Sequence, residues 1–339
     1  MKTITRHKSL VALVVACVIY ALIPLFEKSP YYLDLLIVMV VYTVLAMMFV
    51  MTLRAGLVNL GIVPFWGIGA YTSALLATKL HMNVWLCMPV SAIVTGVIAL
   101  GIGYFLIGSG ASGLSFVILT SVIGMIFNVL VGSISFLGAW NGIPNIPPPE
   151  SISFGGLFSI TFDSHVPFLY LGLFLFVVIL LISKAFYSSW VGRAWTAIDL
   201  NPRVAASLGI NIFKYKMLSF VLSCTLCGLI GSFFAHYEGF ILPNTFGMWQ
   251  NIYVQIYAIL GGLSFPVLGP FVGSAVMTFI PEFLRIAREV SPIFNGLVLI
   301  LLILFLPEGL LGLGKYRSNI PKIRKAISSL LSGGKARSV

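Results

Sequence analysis

Apolar runs long enough to cross a bilayer follow one another along this chain, separated by charges, prolines and glycines. A hydrocarbon core of about 30 Å asks for roughly 17 to 25 such residues per helix. The breaks mark ten candidate spans at 9–26, 33–53, 55–78, 84–107, 111–131, 166–183, 217–237, 248–264, 266–284 and 291–306. Glycine and proline in the third, eighth and ninth predict half-helices or re-entrant pieces there. One interval departs from the pattern: the loop 184–216 is polar, basic and helix-forming. Within it Asn201 reads as an N-cap, Pro202 as the first helical residue and Gly209 as the left-handed residue past the helix end. A short extramembrane helix near 193–209 is expected, of the kind that meets a soluble partner.

Composition turns this pattern into a fold class. With 59% apolar and 9% charged residues, the chain is far from a soluble domain, where about 25% of residues are charged. The expected fold is an all-α polytopic membrane protein of about ten transmembrane helices, some broken or re-entrant. It forms a single transmembrane domain over 1–314, followed by a basic tail at 315–339. With the N-terminus placed in the cytoplasm, 16 of the 20 basic residues fall inside, and only Lys28, Lys79, Arg285 and Arg288 fall outside. That asymmetry is the positive-inside pattern, so both termini are expected to be cytoplasmic. It accounts for the net charge of +11 without nucleic acid: the tail fixes topology and meets anionic lipid of the bilayer. Lys2, Arg6 and Lys8 precede an apolar run that continues to Phe26 without a small-x-small cleavage site, which reads as an uncleaved first span.

The span interiors lack the groups that couple transport to an ion. No Asp, Glu, Lys, Arg or His falls at an expected midplane, although backbone carbonyls at broken helices leave sodium coupling open. Gly309 to Tyr316 nearly matches a phosphate-binding loop. However, Tyr316 replaces the hydroxyl residue that would hold magnesium, and a helix precedes the motif where a strand is required. The segment reads as a helix terminator, and no ATPase is encoded in 1–339. Cys224 and Cys227 lie one turn apart inside a span and read as buried thiols. His7, His81, His165 and His236 are scattered. No metal set and no catalytic constellation emerge, so the chain is expected to be a non-enzymatic conduit powered elsewhere.

Glycine is concentrated in two membrane stretches. The first holds Asn59, Gly61, Gly67, Gly69 and Tyr71; the second holds Gly261 and Gly262; a shared Pro-Phe-x-Gly begins at Pro64 and Pro270. Such stretches either pack helices closely or line a translocation pathway. The loop 133–165 contains no Lys or Arg and carries Asn141, Gly142 and Pro144 ahead of three consecutive prolines. Its stiff backbone suits a lid, a docking rim or a spacer.

Taken together and in order, several strings resemble the permeases of bacterial branched-chain amino acid ABC importers, LivM type. They are Gly-Leu-Val-Asn-Leu-Gly from Gly56, Phe-Trp-Gly-Ile-Gly-Ala-Tyr-Thr from Phe65, Asn-Gly-Ile-Pro from Asn141, Gly192-Arg193-Ala194, Ala205 to Asn211, Ala235-His236-Tyr237, Gly261 to Gly273, and Pro307 to Leu310. The resemblance covers roughly 33–314. It implies a type II importer-like permease in the inner membrane, paired with a second homologous permease. It also implies two cytoplasmic ATPase subunits carrying ATP and magnesium, and an extracytoplasmic substrate-binding protein that docks on the outer loop at Asn141, Gly142 and Pro144. No cofactor is implied in this chain. Arg193, Asn201, Pro202, Arg203, Ala205, Ala206 and Gly209 would form the helix that couples to the ATPase. Ile62 stands where the family places His or Gln, and Gly124-Met125 where an acidic residue is common, which makes the route unusually apolar. Leucine, isoleucine and valine suit such a route; urea, amides or another small metabolite, and a self-sufficient channel, stay open as alternatives.

Overall fold

The helix α1 (Pro30–Leu53) is apolar on every side, and a helix of that kind belongs inside a bundle. In this computed structural model 83% of its central window is buried. The structure describes residues 29–111, 113–154, 158–283 and 309–312, together with Tyr20, Leu22 and Pro24. The tenth span, the tail and nearly all of the first span lie outside the described residues.

Around α1 the chain lays down α2 (Ile62–Lys79), α3 (Val84–Gly108), α4 (Leu114–Ser133), α5 (His165–Ser188), α6 (Trp190–Leu200), α7 (Pro202–Ser207), α8 (Ile212–Glu238), α9 (Met248–Gly261) and α10 (Leu268–Phe283). Among the described residues five helices are long and apolar enough to cross a membrane: α1, α3, α4, α5 and α8. α5, α8, α9 and α10 pack on α1, and α8 also runs along both α2 and α3. Small residues make that last contact close. A Cβ on Gly69 would stand 2.2 Å from the Gly228 carbonyl oxygen, and one on Gly231 would stand 2.1 Å from that of Trp66. Helices in lipid gain their attraction from such packing, because burial from water no longer drives them together. α4 is the edge of the bundle, with only 17% of its window buried.

Several elements differ from expectation. The third span is helical only from Ile62, because Gly56 turns left-handed at φ 71° and Leu57–Asn59 run as non-helical chain with Leu57 and Asn59 buried. α9 has 14 residues, about 21 Å at 1.5 Å per residue, and so covers part of a bilayer only. The expected helix near 193–209 is two helices, because Asn201 adopts an extended conformation (φ −160°, ψ 104°) between α6 and α7. α8 starts at Ile212, so Lys214 and Lys216 belong to a helix rather than to the loop, with Lys216 buried. The fold is also not wholly helical: in the long loop Ile152–Phe154 pairs antiparallel with Phe158–Ile160 as a small ribbon. Both Pro-Phe-x-Gly copies begin at the third residue of a helix, Pro64 in α2 and Pro270 in α10.

Candidate functional site: an extramembrane helix pair and a cavity at a broken helix

α6 and α7 form one end of the molecule. Ser189 caps α6 by accepting from the Val191 N–H at 3.1 Å. Asn201 caps α7 by accepting from the N–H groups of Arg203 (3.0 Å) and Val204 (3.2 Å). At the far end Gly209, at φ 82°, donates to the Ala206 carbonyl, and Ile210 donates to that of Ala205. This pair of bonds is the Schellman closure, which a residue with a Cβ enters only at a cost. Asn211 then caps α8 through the Lys214 N–H at 3.0 Å. Three caps within 23 residues stiffen a segment that would otherwise be a loop.

The pair is fastened to the bundle by Trp195, which is fully buried. Its ring stacks on Phe186 of α5 with centroids 6.1 Å apart, and its Nε1 donates to the Tyr215 carbonyl of α8 at 2.8 Å. Next to it Arg54, closing α1, places its guanidinium carbon 5.2 Å from the Tyr187 ring centroid and donates to the Ser264 carbonyl at 3.3 Å. Partial burial raises the Asp199 carboxyl from its ordinary value, and the Arg54 charge opposes the shift. Of the predicted coupling residues, Asn201, Pro202, Arg203 and Ala206 are exposed and Ala205 is buried. Arg193 lies over the Trp190 ring at 4.1 Å. Leu200, Val204 and Leu208 add an exposed apolar surface, at 80%, 53% and 73% exposure.

At the opposite end the long loop is held down by α8 and its continuation. Ile143 and Ile241 exchange both backbone hydrogen bonds, at 3.0 and 3.2 Å, and Ile146 donates to the Gly239 carbonyl at 2.9 Å. Beneath it Ser232 donates to Ser73 at 2.6 Å, and Ser73 lies 2.8 Å from His236 Nε2. His236 Nδ1 lies 2.7 Å from the Pro147 carbonyl. A carbonyl only accepts, so Nδ1 carries the proton and Nε2 accepts from Ser73. Gly142, at φ 74°, is pressed against the Ile241 carbonyl, while Asn141 and Pro144 are exposed.

Between these ends lies a cavity of about 480 Å³, bounded by Leu60 before α2, by Ser121, Gly124 and Asn128 at the middle of α4, and by the start of α9. The chain reaches it from Ile241 through a 3-10 turn, Pro243–Phe246, whose Phe246 ring packs on Trp66 with centroids 4.7 Å apart. α9 therefore starts beside the middle of α4, halfway along the bundle. Its N-cap is Gly247, with no side-chain acceptor for the first-turn N–H groups.

None of the predicted pathway residues lines this cavity. Asn59 is buried, accepts from the Gly61 N–H at 2.8 Å and leaves its Nδ2 without a partner. Gly67 faces the Phe127 and Phe246 rings, Gly69 faces Gly228, and Gly261 faces the Gly269 carbonyl. Tyr71 is buried with its hydroxyl unpaired, and Gly262 closes α9 at φ 109°. Sequence reasoning missed Asn128, Gln250 and Gln255 in the cavity, and Trp195, Arg54 and His236 at the two ends. Only the Asn-Ile-Tyr-Val-Gln polarity of α9 within a membrane stretch could have drawn notice to part of that set. Among the described residues no group of three or more His, Cys, Asp or Glu could hold a metal ion, and Cys87, Cys224 and Cys227 are free and buried.

Five apolar helices long enough to cross a bilayer, with a shorter helix among them, describe a multi-pass membrane protein. The family described as "Branched-chain amino acid transport system / permease component" matches residues 31–307, and the chain belongs to it. Its members are transport components. The high-affinity branched-chain amino acid transport system permease protein LivM of Escherichia coli is 27% identical over 330 residues, covering 91% of this chain and 76% of the relative. LivM of Salmonella typhimurium is 28% identical over 277 residues, covering 76% of this chain and 64% of the relative, so the chain spans less than two thirds of that protein's length. The permease protein LivH of Escherichia coli is 28% identical over 127 residues, covering 37% of this chain and 40% of the relative. No solved structure matches.

Proposed function

We propose that this chain is the transmembrane subunit of an ATP-driven, binding-protein-dependent importer of type II character that passes leucine, isoleucine and valine inward across a bacterial inner membrane. A second homologous permease pairs with it, two cytoplasmic ATPase subunits bind ATP and magnesium, and a binding protein delivers substrate to the long loop around Asn141, Gly142 and Pro144. Both termini are cytoplasmic, and the chain itself carries neither cofactor nor catalytic residue. The two LivM relatives and the LivH match support the substrate class and the pairing.

The observation that carries this reading is the capped α6–α7 pair, outside the bundle yet anchored to α5 and α8 through Trp195. A rigid, basic, partly apolar projection suits a groove on a soluble ATPase. Its exposed surface comprises Arg203, Val204, Ala206 and Leu208, while Ala205 holds the helix to its own protein. The test is the double variant Val204→Glu, Leu208→Glu in the assembled complex. Leucine uptake and binding-protein-stimulated ATP hydrolysis should both be lost while the permease stays in the membrane at its normal level. Uptake at the parental rate would remove the coupling role.

A further inference from the structure

The chain between α1 and α2 leads from the extramembrane pair to the middle of the bundle. Its first residues are set by the way α1 ends. Gly56, left-handed at φ 71°, donates to the Leu53 carbonyl at 2.9 Å, and Leu57 donates to that of Thr52 at 3.1 Å, which is a Schellman closure. The closure turns the backbone against the last turn of α6: a Cβ on Gly56 would stand 3.6 Å from the Asp199 Cα and 3.9 Å from its Oδ1. Arg54 secures the same corner. Its guanidinium lies over the Tyr187 ring of α5, donates to the carbonyl of Ser264 in the turn 262–267 between α9 and α10, and acts by its charge on the Asp199 carboxyl.

The far end of the segment is tied to two other helices. The Leu60 N–H donates to Thr120 Oγ1 of α4 at 3.1 Å, and the Leu60 carbonyl accepts from Asn251 Nδ2 of α9. Residues 54–61 thus touch side chains of α4, α5, α6 and α9 while forming no helix of their own. Two buried polar groups go unsatisfied along them, the Tyr187 hydroxyl beside Arg54 and Asn59 Nδ2. A buried polar group without a partner disfavours the arrangement that strands it, so strain sits at both ends of the segment, where a second arrangement can release it.

We propose that residues 54–61 are a strap that passes movement of α6–α7 to α4 and α9, and that Arg54 is the positioning residue that engages it. Arg54 holds a neutral carbonyl through one long bond, with a carboxylate within reach of its charge. A small approach of α6 exchanges the Ser264 carbonyl for the Asp199 carboxylate, because the charge-assisted bond is the stronger. The turn 262–267 is then released, and Gly56, pressed by Asp199, carries the displacement along backbone to Leu60 and its partners Thr120 and Asn251. Arg54 with its two acceptors is the two-state element that such transmission requires. The inference rests on the docking of α6–α7 proposed above and supplies the route by which that docking is felt inside the bundle.

The test uses the complete complex, with both permeases, ATPases and binding protein, in lipid. Hydrogen exchange is followed in segments 190–209 and 55–62 with and without a non-hydrolysable ATP analogue, since exchange reports local opening. In the parental complex the analogue should alter exchange in both segments. In Arg54→Gln the response at 55–62 should vanish while that at 190–209 persists, and leucine uptake should fall about tenfold, the scale of one lost hydrogen bond to a charged group. Arg54→Lys, which keeps the charge, should retain more uptake than Arg54→Gln. Thr120→Val, which cuts the strap from α4, should lower uptake with the response at 190–209 intact. A parental response at 55–62 in Arg54→Gln, joint loss of both responses in that variant, or unchanged uptake in either Arg54→Gln or Thr120→Val would overturn the strap. A parental complex responding at 190–209 but not at 55–62 overturns the strap and leaves the coupling role of α6–α7 standing. One that responds at neither removes both.

Discussion

Trp195 Nε1 donates to the carbonyl of Tyr215 at 2.8 Å across a separation of 20 residues, so the extramembrane pair α6–α7 is joined to the first turn of α8. The indole also stacks on Phe186, which makes one side chain the junction of three helices. Trp195→Ala should destabilise the permease by about 3 to 5 kcal/mol, as for other large aromatic truncations in a core. Trp195→Phe keeps the stack and gives up one hydrogen bond, at a cost of about 1 kcal/mol. Thermal unfolding of the purified protein separates the two. Equal losses would mean that packing on Phe186 contributes nothing.

Gly209 closes α7 at φ 82° with no atom near the place a Cβ would occupy. Gly209→Ala therefore meets no clash and costs only the conformational term, about 1 kcal/mol. Gly209→Asn should recover part of it, since asparagine tolerates the left-handed region. Hydrogen exchange of the Gly209 and Ile210 amides, which close the helix, should speed up in the alanine variant and less so in the asparagine one. Unchanged exchange would show that the closure is dispensable.

Two glycines in neighbouring helices should respond in opposite directions. A Cβ on Gly69 would meet the Gly228 backbone, with the carbonyl oxygen at 2.2 Å, whereas one on Gly101 would meet nothing within 4 Å. Gly69→Ala should cost about 1 to 3 kcal/mol or more, because backbone cannot rotate aside. Gly101→Ala should be neutral or gain up to about 1 kcal/mol of helix propensity. Melting temperatures of the two purified variants provide the check.

The neutral His236 ring ties Ser73, and through it Ser232, to the Pro147 carbonyl. His236→Leu preserves bulk and leaves these buried polar groups without their shared partner, at about 1 to 3 kcal/mol for each group left unsatisfied. The long loop should then be cleaved faster by protease between residues 141 and 150, with the rest of the chain cut at its parental rate. Unaltered cleavage in that interval would deny the ring its tethering role.

Local features were readable in advance and convergent ones were not. The caps at Asn201 and Gly209 are written within nine consecutive residues, and the apolar runs mark α3 and α4 to within about three residues, since length and hydropathy are local properties. The interruption of the third span was signalled by its glycines, but its exact form depended on Asn59 folding back on Gly61. The cavity was beyond reach. Asn128 and Gln255 lie more than 120 residues apart in the sequence, carry no charge, and acquire meaning only because α9 begins at the middle of α4. Likewise His236 reads in the sequence only as one of four scattered histidines, because its acceptor, Pro147, is 89 residues away.

The antiparallel bridge between Ile143 and Ile241 couples two distances. Ile241 is five residues before Phe246, the residue that leads into α9 and packs against Trp66. The rim at Asn141 and Pro144 is thus tied, through that bridge, to the 3-10 turn from which α9 starts. In the docking proposed above, arrival of a loaded carrier and displacement of the turn that leads into α9 would be a single movement.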